Sequence, residues 1–149
     1  MINDNLKLRG DVAIVLKDKN GNVKESREIN NLVVTAGLTF ICSRMAGASA
    51  GVMSHMALGS STAAAAAGQT DLVSILGSRE ALDSSTASAN TIVYVSSFEA
   101  GEGTGAVTEA GVFNASSSGT MLCRTVFPVV NKGTDDTMSV TWTITLTAS

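Results

Sequence analysis

The chain has 149 residues, 44% of them hydrophobic and only 15% charged, where an average soluble protein carries roughly 25% charge. Ten basic against thirteen acidic residues give a net charge of −3, a poor surface for neutralising phosphate, and no run of 18 apolar residues exists to cross a bilayer. Nucleic-acid binding by charge and membrane insertion are therefore not expected, and the polar start MINDNLKLRG reads as no secretory leader.

The length suits one domain, residues 1–149, in three stretches. Residues 1–30 hold 11 of the 23 charged side chains. Leu6, Leu8, Val12, Ile14 and Leu16 alternate with polar positions, the period of a half-buried strand. Asn20-Gly21 then supplies the positive φ of a hairpin turn. A return strand through about Ile29, with Val23 and Ile29 on one face, completes a β-hairpin over residues 5–30.

Residues 31–83 form a charge-poor segment of helix and loop. From Asn31 to Ser78 the only charges are Arg44 and Asp71. Leu38, Ile41, Cys42 and Met45 have helical spacing, which predicts a short helix capped by Thr35, weakened by Gly37 and ended by the GASAG of 47–51. Residues 54–59 read as a short strand. The five alanines of 63–67 have helical propensity, but the run is too short to hold a helix alone, so an extended, packed loop is expected. Residues 70–76 predict one helical turn, with Asp71 at its N-terminal end, and 78–83 a short strand.

Residues 84–149 read as antiparallel strands. Strands are predicted over 92–98, 107–113, 121–130 and 137–147, with Pro128 marking an edge or a bulge. In the last, Met138, Val140, Trp142, Ile144 and Leu146 alternate with Thr and Ser, so one face is buried and one is polar. About eight strands and one short helix predict an all-β fold, an antiparallel β-sandwich or jelly-roll-like domain.

Chemistry-bearing residues are sparse. His55 is the sole histidine, and no GxSxG surrounds any serine, so a hydrolase triad is not supported. Glu99, Glu102 and Glu109 lie in or beside Gly-rich stretches and read as solvated acids rather than a general acid–base pair. Asp135-Asp136 reads as a solvated turn, without the DxDxDG spacing of a calcium loop. Gly101-Glu102-Gly103-Thr104-Gly105 is a mobile connection, not a phosphate loop, because its glutamate repels phosphate. Tyr94 and Trp142 are expected in the core. Cys42 and Cys123, 81 positions apart, fit no metal spacing and read as small buried hydrophobes, with a disulfide between them left open. Accordingly no catalytic residue, cofactor site or metal site is expected.

Ordered blocks over residues 52–147 carry a resemblance. They are MALGSST at 56–62 with the alanine run behind it, QTDL at 69–72, REAL at 79–82, TEAGVFN at 108–114, GTMLCRTVF at 119–127 and DTMSVTWTI at 136–144. With GDVAIVLKDKNGNV and NNLVV before them, they resemble small structural proteins of tailed bacteriophages. The resemblance implies a virion component assembled in the bacterial cytoplasm, not an enzyme. A head decoration (cement) protein is the first expectation, and a tail, collar or fibre-attachment protein, or a host-surface or glycan-binding module, the alternatives. The expected partners are copies of the chain, as dimer or trimer, and the major capsid protein or other virion proteins. The charge-poor 31–78 segment is the expected contact surface.

Overall fold

The computed structural model describes residues 5–148. Strands β1 (Leu6–Lys17) and β2 (Val23–Val33) precede one helix, α1 (Thr35–Met45). Strands β3 (His55–Gly59), β4 (Glu80–Ala81), β5 (Ser84–Ser88), β6 (Thr91–Phe98), β7 (Gly105–Phe113), β8 (Met121–Lys132) and β9 (Thr137–Ala148) follow. All pair antiparallel in a single curled sheet of order β4-β3-β7-β8-β2-β1-β9-β6-β5. The fold is all-β with one short helix, as the alternation patterns predict.

The sheet folds over on itself. β2 lies beside β1 for most of its length, but its end, Leu32 and Val33, pairs with Arg124 and Cys123 of β8. At the far side β4 and β5 are two pieces of one run of chain. Leu82 N–H donates to the Ser54 carbonyl, while Asp83 N–H donates to that of Val95 on β6. Two layers result, with side chains from both meeting in one core: Val12, Ile14 and Trp142 from one, Met56, Leu58 and Val112 from the other. Strands that switch layers at a bend make such corners.

The first hairpin forms as its alternation predicts, with Val12, Ile14 and Leu16 buried, although Leu6 at its end is exposed. Its turn has a different basis from a two-residue Asn-Gly turn. Gly21 alone has positive φ, +83°. Asp18 accepts from the backbone N–H of Asn20 and Asn22 at 2.9 and 3.0 Å, and register shifts between Leu16 and Lys17. The carboxylate satisfies turn donors that a shorter loop would pair across the strands. That contact with Asn22 holds the Asp18 carboxyl below its ordinary pKa.

Two expectations for the middle segment are corrected. Helix α1 begins at Thr35, but the residue preceding it is Val34 and no side chain caps it. Residues 70–76 make no helical turn, and Ile75 instead bridges Gly59. Ser84–Ser88, unread in the sequence, is a strand. Residues 60–68 are an extended loop, as expected from the shortness of the alanine run.

Gly37 is buried where α1 crosses β8, and a Cβ there would run into the Leu122 carbonyl. The same carbonyl accepts from Val34 N–H at 3.2 Å. It lies in a bulge, since Val112 pairs Cys123 while Phe113 pairs Met121. Pro128 sits in a second bulge, between the pairs Val107–Val130 and Glu109–Val126, where no ladder hydrogen bond is demanded of it.

Candidate functional site

The chain segment 60–76 forms a third layer over the outer side of β3, β7 and β8. Leu72 packs there with Ala57, Phe113, Met121 and Val34 in a small core of its own. β7 is consequently buried without interruption from Val107 to Phe113. A strand covered on both faces loses its alternation and reads as a continuous run.

At the centre of this layer is an ion pair. Glu109 of β7 and Arg124 of β8 are both fully buried, with guanidinium to carboxylate distances of 2.8 and 2.9 Å. Glu109 pairs Val126 across the hairpin, which puts Arg124 two residues along the partner strand and on the same face. The pair's remaining capacity goes to the overlying loop. The Glu109 carboxylate accepts from Ser61, Val73 and Ser74 N–H at 3.3, 3.1 and 2.7 Å. Arg124 donates to the Gln69 side chain and the Ala63 carbonyl, each at 3.0 Å. Thr108 Oγ1 donates to the Ser61 carbonyl at 2.9 Å. A carboxylate that satisfies three backbone donors and a guanidinium substitutes for the secondary structure this loop lacks.

Arg79 fastens the other end. Its guanidinium lies 3.6 Å from the Phe113 ring centroid and donates to the carbonyls of Ala115 and Ser118. It also meets Asp71 at 3.4 Å. Arg44, at the end of α1, donates to the Ala48 and Ala50 carbonyls. Both charges of the 31–78 segment are thus engaged within the fold. Its apolar side chains are not all so engaged. Of the nine exposed large apolar residues among those described, six are Leu32, Leu38, Met45, Val52, Val73 and Ile75.

The remaining sequence candidates are scattered. Glu109 is not a solvated acid beside a turn: it is buried in β7, far from Glu99 and Glu102 in role. Glu102 accepts from Glu99 N–H at 2.8 Å, closing a turn. Lys132, almost wholly buried, donates to the carbonyls of Glu99 and Asp136 at 2.9 and 2.7 Å. Burial lowers its pKa. The 101–105 connection is packed rather than loose, since a Cβ on Gly103 would press on Leu58. Asp136 is likewise not solvated. It pairs with Lys24 at 2.8 Å and accepts from Gly133 N–H at 2.7 Å, contacts that hold its carboxyl below the ordinary range. Asp135 is exposed. Asp71 accepts from Leu72 N–H in a bend rather than heading a helix.

His55 lies in β3, with Nδ1 2.8 Å from the Ser54 hydroxyl. Trp142 and Tyr94 are cross-strand partners in the core, and burial pushes the Tyr94 phenol up to about 12. Cys123 is buried, which raises its thiol pKa, but Cys42 is exposed, and both are free. Cys42 falls outside the buried face of α1, so its reading as a core residue is corrected. Among the described residues no group of three or more His, Cys, Asp or Glu is gathered, and no helix is long and apolar enough to cross a membrane.

An apolar groove of about 450 Å³ opens beside α1, lined chiefly by Phe40, Ile41, Met45, Ile92, Tyr94 and Leu146. The molecule's distinctive surfaces are this groove and the third layer. Comparison with family models, curated proteins and solved structures returns no match.

Proposed function

We propose that this chain is a structural protein of a tailed-phage virion, acting as a capsid decoration (cement) protein that bridges neighbouring shell subunits. One observation carries the reading as a contact protein. The segment richest in exposed apolar side chains carries only two charges, Arg44 and Asp71, each bonded within the chain, and a buried ion pair holds its 61–74 stretch, with exposed Val73, in place. Ordering such a loop before contact removes part of the entropy cost of association. Its apolar side chains then gain by leaving water when a neighbouring subunit covers them. The blocks at 56–62, 108–114 and 119–127 that resemble phage structural proteins supply β3, β7 and β8, the strands on which this layer rests.

On this reading the chain works by adhesion, without a reacting group, and is located in the virion with the major capsid protein as its partner. The test is the molar ratio of this chain to the major capsid protein in purified particles. Decoration requires a ratio on the scale of the shell's own subunits. A ratio on the scale of a single ring assigns the chain to the tail or collar instead, and absence from particles overturns the virion reading altogether.

A further inference from the structure

Among the described residues the sheet offers unpaired strand edge at β4, at β5 and where β2 and β8 part, and the chain treats these differently. β4 is two residues long and carries Glu80. Between β2 and β8 the strands splay after their two-residue pairing, and that seam is flanked by Lys24 and Glu28 on one side and by Pro128 with its bulge on the other. Short length, charge, proline and bulges are the devices by which edges avoid pairing with other chains. The third place, β5, has none of them. It ends the strand order, is bonded only to β6, and every residue of Ser84-Ser85-Thr86-Ala87-Ser88 is exposed.

We infer that β5 is a pairing edge whose partner is the β5 of a second copy, joined antiparallel about a twofold axis through Thr86. Three features select a second copy. First, the segment is self-complementary. Thr86 falls opposite Thr86, Ser84 opposite Ser88, and Ser85 opposite Ala87, so every pair is neutral and small. Hydroxyl pairs across strands are favourable, and like charges would not be. Secondly, Asp83 lies just outside the paired stretch, opposite uncharged Ala89. Thirdly, the edge adjoins apolar surface that needs covering. Ser85 and Ala87 are in register with Tyr94 and Ile92, so they share the face on which those two line the groove beside α1. A second β5 would extend that face past the groove wall in both copies. A partner of isologous symmetry closes on itself and covers the bare β5 of both copies, which is how such a strand avoids growing into a fibre. The choice of a second copy as occupant rests on the reading of this chain as an assembling protein.

Sedimentation equilibrium of the full chain tests this. The expected result is a mass rising with concentration from 15.2 kDa to twice that value. Thr86→Lys places two ammonium groups face to face on the axis and should hold the chain at the monomer mass with an unchanged melting temperature. A cross-linking pair keeps the test open if that variant folds poorly. In a Cys42→Ser background, Thr86→Cys puts two thiols opposite each other, about 4.5–5.5 Å apart at Cα, within disulfide reach. Ser85→Cys puts them on the diagonal at about 7–8 Å, beyond it. Rapid oxidation to a dimer is expected for the first and not for the second. A chain that stays monomeric throughout, a dimer indifferent to Thr86→Lys, or equal cross-linking at both positions overturns the inference. A β5 dimer found in no virion would refute the function proposed above and leave this surface standing. A monomer abundant in shells would do the converse.

Discussion

Removing Arg124 strands the Glu109 carboxylate in a site with no solvent. Arg124→Ala is therefore expected to cost about 3–5 kcal/mol, the usual range for breaking a buried pair, read as a lower midpoint in urea unfolding. The familiar rescue, replacing both ions by apolar side chains, should fail here. Glu109 also satisfies the backbone N–H groups of Ser61, Val73 and Ser74, and a leucine would leave all three orphaned. The double variant should stay well below the unmodified chain, and recovery of full stability would show that the loop's donors find other partners. None of this was visible around Glu109 in the sequence. Its hydrogen-bond partners in the loop lie 35 to 48 positions away, and reading its immediate neighbours suggested a solvated acid. A usable signal did exist. Two opposite charges, each set inside an apolar run, lie in strands that a seven-residue turn makes consecutive. Once the β7–β8 hairpin is drawn, they come within diagonal reach.

Elements were legible in proportion to how one-sided their burial is. β1 and β9 bury one face each, so alternation located them closely. β7 and β8 are covered on both faces, and their ends were read two residues short at Gly105 and Lys132. β5 contains one alanine and four hydroxylated residues, and nothing in SSTAS marks a strand until β6 is placed beside it. The helical turn expected at 70–76 fails for a specific reason. Val73 and Ser74 N–H donate to Glu109 rather than to carbonyls four residues back. Gly37 reverses another rule. In an exposed helix Gly→Ala gains about 1 kcal/mol. Here the new methyl meets the Leu122 carbonyl, so Gly37→Ala should instead cost about 1–3 kcal/mol, typical of overpacking. Thermal unfolding gives the sign directly, and a raised melting temperature would mean that α1 does not lie this close to β8.

The contact between Lys24 and Asp136 joins the first hairpin to the β8–β9 turn, and it makes a prediction about acid. The Asp136 carboxyl is held below its ordinary pKa, first by the Lys24 hydrogen bond and then by the Gly133 N–H. A depressed carboxyl contributes stability above its unfolded pKa, near 3.9, and loses it as pH falls through the folded value. Lys24→Met removes the larger cause. The Asp136 titration, followed by carboxyl carbon NMR, should move up toward the ordinary range, and the variant should be less stable at neutral pH while losing less stability on acidification, because the folded and unfolded pKa of this carboxyl draw together. An unmoved titration would assign the depression to the Gly133 contact alone.

At the scale of the whole molecule, charge is segregated rather than spread. The hairpin at the N-terminal end carries charge on its exposed positions, while α1 and the third layer expose apolar side chains. A protein that only had to remain dissolved would gain nothing from this division, since an interspersed surface keeps apolar patches small. The division is useful if one side faces an assembly and the other faces water. Leu38 and Met45, seven residues apart on α1 with Met45 at the rim of the groove, are 46% and 83% exposed. Exchanging both for lysine removes little buried area from the monomer, so folding stability should stay within about 0.5 kcal/mol. In the assembly the same exchange would leave two ammonium groups where apolar contact is expected, and affinity for particles stripped of this chain should fall by about tenfold or more. Lys19→Glu, in the exposed hairpin turn, supplies the control: a charge change on the other side that should leave affinity unaltered. If the helix variant rebinds as well as the unmodified chain and the turn variant does not, the two sides have been assigned the wrong way round, and the charged hairpin is the adhesive one.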